Sequence, residues 1–251
     1  MLVLPHMRHL LIILGVLVCT GVSGQSAFAK AEQLFKQSKY KAALPIYLDL
    51  LEEKPQDPKL LRKTGQTYGE MEQFEKATAI YKRLLATDDT NADYHFYYGG
   101  SMGLWAKNAS KFKALGLLDD VKFHLKKAAE LDSKHVDTRW ALVQLYTELP
   151  GIIGGSLTTA RSYADQLKKI SPVDGYLAHG YVDEYDKEYT DAETAYKNAI
   201  KVGGSPLTYM KLATLYADKM DRTSDAKAIL KKGYEIHKDA QLLAQLEKLD
   251  S

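Results

Sequence analysis

Five histidines beyond the N-terminal run, at positions 95, 124, 135, 179 and 237, are the side chains best suited to metal or acid–base chemistry, yet no two of them lie three to five residues apart. That spacing is what places two ligands on one helix face, so no metal centre and no cofactor is expected. Gly154-Gly155-Ser156 could cradle a phosphate or present a nucleophile. The segment has no Gly-Lys-Ser/Thr sequence, no Gly-x-Ser-x-Gly frame and no strand pattern before it, so the glycines read as a turn and Ser156 as a helix N-cap. The acidic pairs Asp88-Asp89, Asp119-Asp120 and Asp183-Glu184 fall near expected helix ends, where carboxylates are solvated rather than poised for proton transfer. No catalytic residue is assigned, and the chain is read as a non-enzyme.

Composition narrows the partner. Lys+Arg at 34 against Asp+Glu at 32 leaves a net charge of +2 over 251 residues, too balanced for a nucleic-acid footprint, and none is expected. His6, Arg8 and His9 precede the apolar stretch Leu10 to Val18, and small residues follow to Gly24. That order predicts a signal peptide over 1–24, a mature chain starting at Gln25, and export to a periplasmic or secreted location. The apolar stretch is too short to span a bilayer, and no integral membrane segment is expected after its removal. Cys19, the single cysteine, is preceded by Leu17 and Val18 where a lipid-anchor signal wants a small residue, so lipid anchoring there is not expected.

Elements that could position a binding surface emerge from an internal period. Ala43, Ala77, Val121, Ala160, Ala192 and Ala226 recur at spacings of 34, 44, 39, 32 and 34 residues. Ala31, Gly65, Gly180 and Thr214 stand twelve residues before four of them; Tyr47, Tyr81, Leu125, Ala164, Tyr196 and Leu230 stand four residues after. Small residues let two helices cross closely, and a large side chain one turn on fills the space beside the crossing. Helix stops such as Pro55, Asp89, Pro172 and Gly204 come twelve residues after the crossing. The fold class is therefore all-α, with two antiparallel helices, A and B, per repeat. Extra residues interrupt the period within Met102–Leu118 of repeat three and Leu149–Ser156 of repeat four.

In these residues the chain resembles the tetratricopeptide repeat family, whose unit of 34 residues has small residues at its eighth and twentieth positions, an aromatic at its twenty-fourth and Pro at its thirty-second. Leu34 to Pro55 and Gly65 to Leu84 carry the strongest likeness, and the lengths and turn of repeats three and four are similar to those of exported bacterial members. The resemblance implies a right-handed α-α superhelical solenoid of six repeats over 25–238, and Leu242, Leu243, Leu246 and Leu249 make 239–251 a capping helix.

The same resemblance implies a groove lined by the second, fifth, ninth and twelfth positions of each A helix. These include Phe28 in repeat one, Lys59 and Arg62 in repeat two, Phe96 in repeat three and Trp140 and Gln144 in repeat four. Leu177 and Tyr181 follow in repeat five, and Thr208, Lys211, Leu215 and Asp218 in repeat six. The family's paired Lys and Asn side chains for gripping a terminal carboxylate are absent. The expected function is a non-catalytic scaffold in an extracytoplasmic assembly that binds another protein or a peptide segment. The alternative is a small-molecule binder or enzyme with a pocket walled by the insertions of repeats three and four.

Overall fold

The computed structural model describes residues 26–250, so the predicted signal segment 1–24, Cys19 and the cleavage site before Gln25 lie outside it. Helix α1 covers residues 26–36. It is followed by α2 (Tyr40–Glu53), α3 (Pro58–Glu70), α4 (Phe74–Leu85), α5 (Ala92–Asn108), α6 (Lys111–Leu131) and α7 (Val136–Glu148). A 3-10 turn over Gly151–Ile153 leads to α8 (Leu157–Ile170), α9 (Pro172–Tyr185), α10 (Tyr189–Val202), α11 (Pro206–Lys219), α12 (Thr223–His237) and α13 (Ala240–Asp250). The regular structure among the described residues is helical throughout, and the fold class is all-α, of the helical-repeat type. The chain divides into two compact units, one through His124 and one from Leu125, with the division inside α6.

Local chemistry starts each helix where the period requires. Asp57 accepts from the backbone N–H groups of Lys59 and Leu60 at 2.9 and 3.1 Å, and Pro58 occupies the first turn of α3. Asn91 caps Tyr94 to open α5, and Ser156 caps Thr159 to open α8, as its position after two turn glycines predicted. Gly155 admits no side chain, because a Cβ there would fall 1.7 Å from the carbonyl oxygen of Leu149. Four A-to-B turns each place a residue, Ser38, Glu72, Lys187 or Asp221, in the left-handed region two residues before a B helix.

The small-residue frame holds. Ala43, Ala77, Ala160, Ala192 and Ala226 are completely buried, and Val121 is almost so. A Cβ on Gly65 would stand 2.6 Å from the Tyr81 ring, and one on Gly180 would stand 2.3 Å from the Tyr196 ring. Each ring is therefore seated on the bare backbone of its A helix. Tyr47 and Tyr196 are the largest fully buried side chains, and covering a ring of this size stabilises the fold by about 1.5–3 kcal/mol.

Three departures from the repeat have structural accounts. The extra residues of repeat three form no loop; they lengthen the helices themselves, to 17 residues in α5 and 21 in α6. Asp183, where a large apolar residue is usual, accepts from Nε and a terminal nitrogen of Arg161 at 3.1 and 2.9 Å, so a polar pair ties α8 to α9. In repeat six the frame slips. The A-to-B turn is closed by a bond from Arg222 N–H to Tyr216 O, six residues back, whereas Lys39, Gln73 and Glu188 each bond five residues back. One extra turn residue moves the crossing from Thr214 to Ala213, which is only 2% exposed. The inner positions assigned to repeat six, Thr208, Lys211, Leu215 and Asp218, are consequently one residue off. Thr208 and Leu215 are completely buried. Helix α13 packs on α12 and α11, with Leu242 buried and Leu246 and Leu249 against the same core.

Candidate functional site

In the first unit, the cap and proline at the start of α3 set Lys59 and Arg62 one turn apart near its N-terminus. Lys59 Nζ lies 4.0 Å over the Phe28 ring, which is edge-on to Tyr47. Glu32, one turn after Phe28, accepts from the Tyr47 hydroxyl and pairs with Lys63 at 3.0 Å. Burial opposes ionisation of Glu32, but the Tyr47 hydroxyl and the Lys63 ammonium outweigh it and hold the carboxyl below its usual range. That carboxylate is matched chiefly by Lys63, with the Lys59 ammonium a smaller contributor.

Arg62 opens onto a concavity of about 450 Å³ that Asp57, Lys59, Asn91, Asp93, Tyr94 and Tyr97 also line. Both Lys59 and Arg62 are exposed. Phe96 is not among the lining residues; it is half-buried on α5 and tilted against Tyr97 at 5.8 Å. The concavity combines a guanidinium, an ammonium and two phenol rings with the carboxylates of Asp93 and of Asp57, which caps α3; its cations and rings suit a segment that sets a carboxylate beside a flat or apolar neighbour.

The second unit presents a different arrangement. Trp140 is half-buried on α7, packs against a core that contains Leu177, and donates its indole N–H to Asp174 Oδ1 at 2.9 Å. Gln144, one turn along, is exposed. Tyr181 donates to Glu148 at 2.8 Å, and burial, reinforced by that carboxylate, raises its phenol well above the usual range. Leu177 is 5% exposed and belongs to the core, so it offers no surface to a partner. Its burial follows from the close packing of α9 between α8 and α10, which the backbone of Gly175 against Lys168 makes possible.

A pairing that local spacing could not reveal lies at the other side of α5. His95 and His124, 29 residues apart, stack with their Nδ1 atoms 2.8 Å apart. His95 Nε2 is 2.9 Å from the Asp89 carbonyl oxygen, which can only accept, so that nitrogen carries a proton. With that proton on Nε2, the geometry lets His95 Nδ1 accept a proton carried on His124 Nδ1. Burial first, and then the neighbouring His95, push His124 below the usual imidazole range. The two histidines occupy the fourth and twenty-third positions of repeat three, which face each other across the A–B pair; that register was the available signal. Among the described residues no group of three or more His, Cys, Asp or Glu side chains is placed to hold a metal ion. Nor is any described helix long and apolar enough to cross a membrane.

Comparison with known proteins agrees with this geometry. Residues 28–95 match the tetratricopeptide repeat family model. No curated protein matches the sequence. Among solved structures, a tetratricopeptide repeat protein from Parabacteroides merdae is 16% identical with a TM-score of 0.61, over 90% of this chain and 85% of the other. PilF of Pseudomonas aeruginosa is 14% identical with a TM-score of 0.54, over 91% and 98%. Acl4, an assembly chaperone of RpL4, is 10% identical with a TM-score of 0.52, over 90% and 95%. The sequence match to the tetratricopeptide repeat model thus covers residues 28–95, and over the helix pairs that follow the likeness to these proteins is one of fold.

Proposed function

We propose that this chain is a non-catalytic scaffold that binds another protein or a peptide segment within an extracytoplasmic assembly. The observation that carries the reading is the concavity of the first unit, where exposed Lys59 and Arg62 stand beside Tyr94 and Tyr97. Phe28 extends the same inner wall beneath the Lys59 ammonium. An acidic segment would meet the cations, and its apolar neighbours would cover the rings. In the second unit, Trp140, Gln144 and Tyr181 form the corresponding inner face, and Phe96 supplies an aromatic edge in the first; Leu177 is left out because it is core. The fold of an assembly chaperone such as Acl4 supports a role in holding a protein chain. Export rests on the signal pattern over 1–24, with cleavage before Gln25 and a periplasmic or secreted destination.

A crosslinking pull-down from the native compartment tests the reading. The wild-type chain is expected to capture one or a few specific proteins, and Arg62→Glu to lose them while melting as wild type does. Undiminished capture by Arg62→Glu would remove the concavity as the binding site.

A further inference from the structure

The lengthened helices of repeat three end in a tip of unusual chemistry. Between Asp93 and Asp119 there is no acidic residue, while Lys107, Lys111 and Lys113 all lie there. In a chain whose charges otherwise balance, this is a local segregation of positive charge. The same tip exposes large apolar side chains: Phe112 at 91%, Leu115 at 50% and Leu104 at 48%. Phe112 and Leu115 are one turn apart on α6, and Leu104 lies in the last full turn of α5, joined to α6 by only two residues. Lys113 Nζ lies 4.5 Å over the Trp105 ring, which fixes the indole against the start of α6.

We propose that this α5–α6 tip docks on the surface of an anionic phospholipid bilayer, with Phe112 and Leu115 entering the interface and the lysines meeting the headgroups. Trp, Phe and Leu beside lysines, with acids excluded, are the residue set of interfacial membrane contacts. Lysine stems run along apolar surface while the ammonium stays at headgroup level. A protein-binding centre has the opposite preference, since lysine is depleted there and arginine enriched, and the tip holds three lysines and no arginine. The extended helix pair gives the contact a rigid mount and places it apart from the concavity of Arg62, so membrane attachment and partner binding need not compete.

The experiment mixes the full chain with vesicles of neutral phosphatidylcholine or of phosphatidylcholine with phosphatidylglycerol, both carrying brominated acyl chains, and reads quenching of Trp105. A Trp105→Phe chain supplies the contribution of Trp140, which is subtracted. The apolar N-terminal run is present in every protein compared, so only the local signal at the tip is scored. Strong quenching is expected on anionic vesicles and weak quenching on neutral ones. Phe112→Ser should reduce apparent vesicle affinity at this site roughly tenfold, and Lys111→Gln roughly fivefold, with the latter effect lost in high salt. Phe112 is almost fully exposed, so its variant should keep wild-type helix content by circular dichroism. No quenching of Trp105 on anionic vesicles, or quenching that Phe112→Ser leaves unchanged, would overturn the proposal. The absence of quenching together with crosslinking from position 112 to another chain would assign the tip to a protein instead.

Discussion

Replacing Gly65 and Gly69 by alanine places the same methyl group on the same helix, α3, with opposite expected results. At Gly69 nothing lies within 4 Å of the added Cβ, so the variant gains only helix propensity, about 0.5 kcal/mol because the site is in the last turn. At Gly65 the Cβ would stand 2.6, 2.8 and 2.9 Å from three atoms of the Tyr81 ring. That ring cannot simply swing away, because it is 8% exposed and stacked on Tyr97 with centroids 5.4 Å apart. Overpacking of this kind costs ~1–3 kcal/mol, which exceeds the propensity gain. The two variants should therefore differ by about 1–3 kcal/mol, with Gly69→Ala the more stable. At about 2–4 °C per kcal/mol for a chain of this size, the gap is several degrees in Tm. Urea unfolding followed by circular dichroism measures it. Adding Tyr81→Leu to Gly65→Ala should recover part of the loss, since the clash is with the ring; Tyr81→Leu has its own cavity cost, so the coupling is read from the full double-mutant cycle. Equal stability of Gly65→Ala and Gly69→Ala would refute the crossing geometry on which the repeat register rests.

The His95–His124 pair makes stability depend on pH. With the folded pKa of His124 below its unfolded value of about 6.5, the unfolded chain takes up the proton first. The contribution is complete above that value and declines as pH falls through it toward the folded pKa, so wild type should lose more stability between pH 7.5 and 5.5 than His124→Gln; parallel urea midpoints for the two would contradict this. Trp140→Ala removes half-buried packing and the bond to Asp174, and should destabilise by about 2 kcal/mol in urea unfolding, whereas Trp140→Phe keeps most of the packing and should cost about 1. If Trp140→Ala is neutral, Trp140 belongs wholly to the groove. Arg62→Ala leaves the folded state intact because the side chain is exposed; it should slow association with the captured partner and flatten its salt dependence, which surface-based kinetics would detect.

How much was legible follows from which constraints act locally along the chain. A helix crossing demands a small residue at one position and a large one a turn later, so Ala43, Ala77, Ala192 and Ala226 announced their places, as did Tyr47, Tyr81 and Tyr196. The cap Ser156 acts within three residues and was equally visible, whereas Asp57, which caps α3 in the same way, was not singled out. The slip in repeat six was hidden because the spacing from Ala192 to Ala226 is still 34, the extra turn residue being offset by a shorter link before α11; the bond from Arg222 to Tyr216 exposes it. Leu177 was misplaced because the register gives its side of the helix but not the depth to which neighbouring helices cover it. The histidine pair joins positions in two different helices, and the Glu32–Lys63–Tyr47 cluster draws on three, so neither leaves a short motif. The segregation of charge at the α5–α6 tip was present in the sequence throughout, but a net charge of +2 conceals it.

The central claim, that the inner wall of the first unit receives a partner chain, is tested most directly by site-specific photocrosslinking in cells. A photoreactive residue placed at Arg62 is compared with one at Lys82, which is exposed on α4 outside the concavity. The account predicts that position 62 crosslinks to a defined protein partner through an acidic segment, and that position 82 does not. Crosslinking of that partner from position 82 with none from position 62 would contradict it.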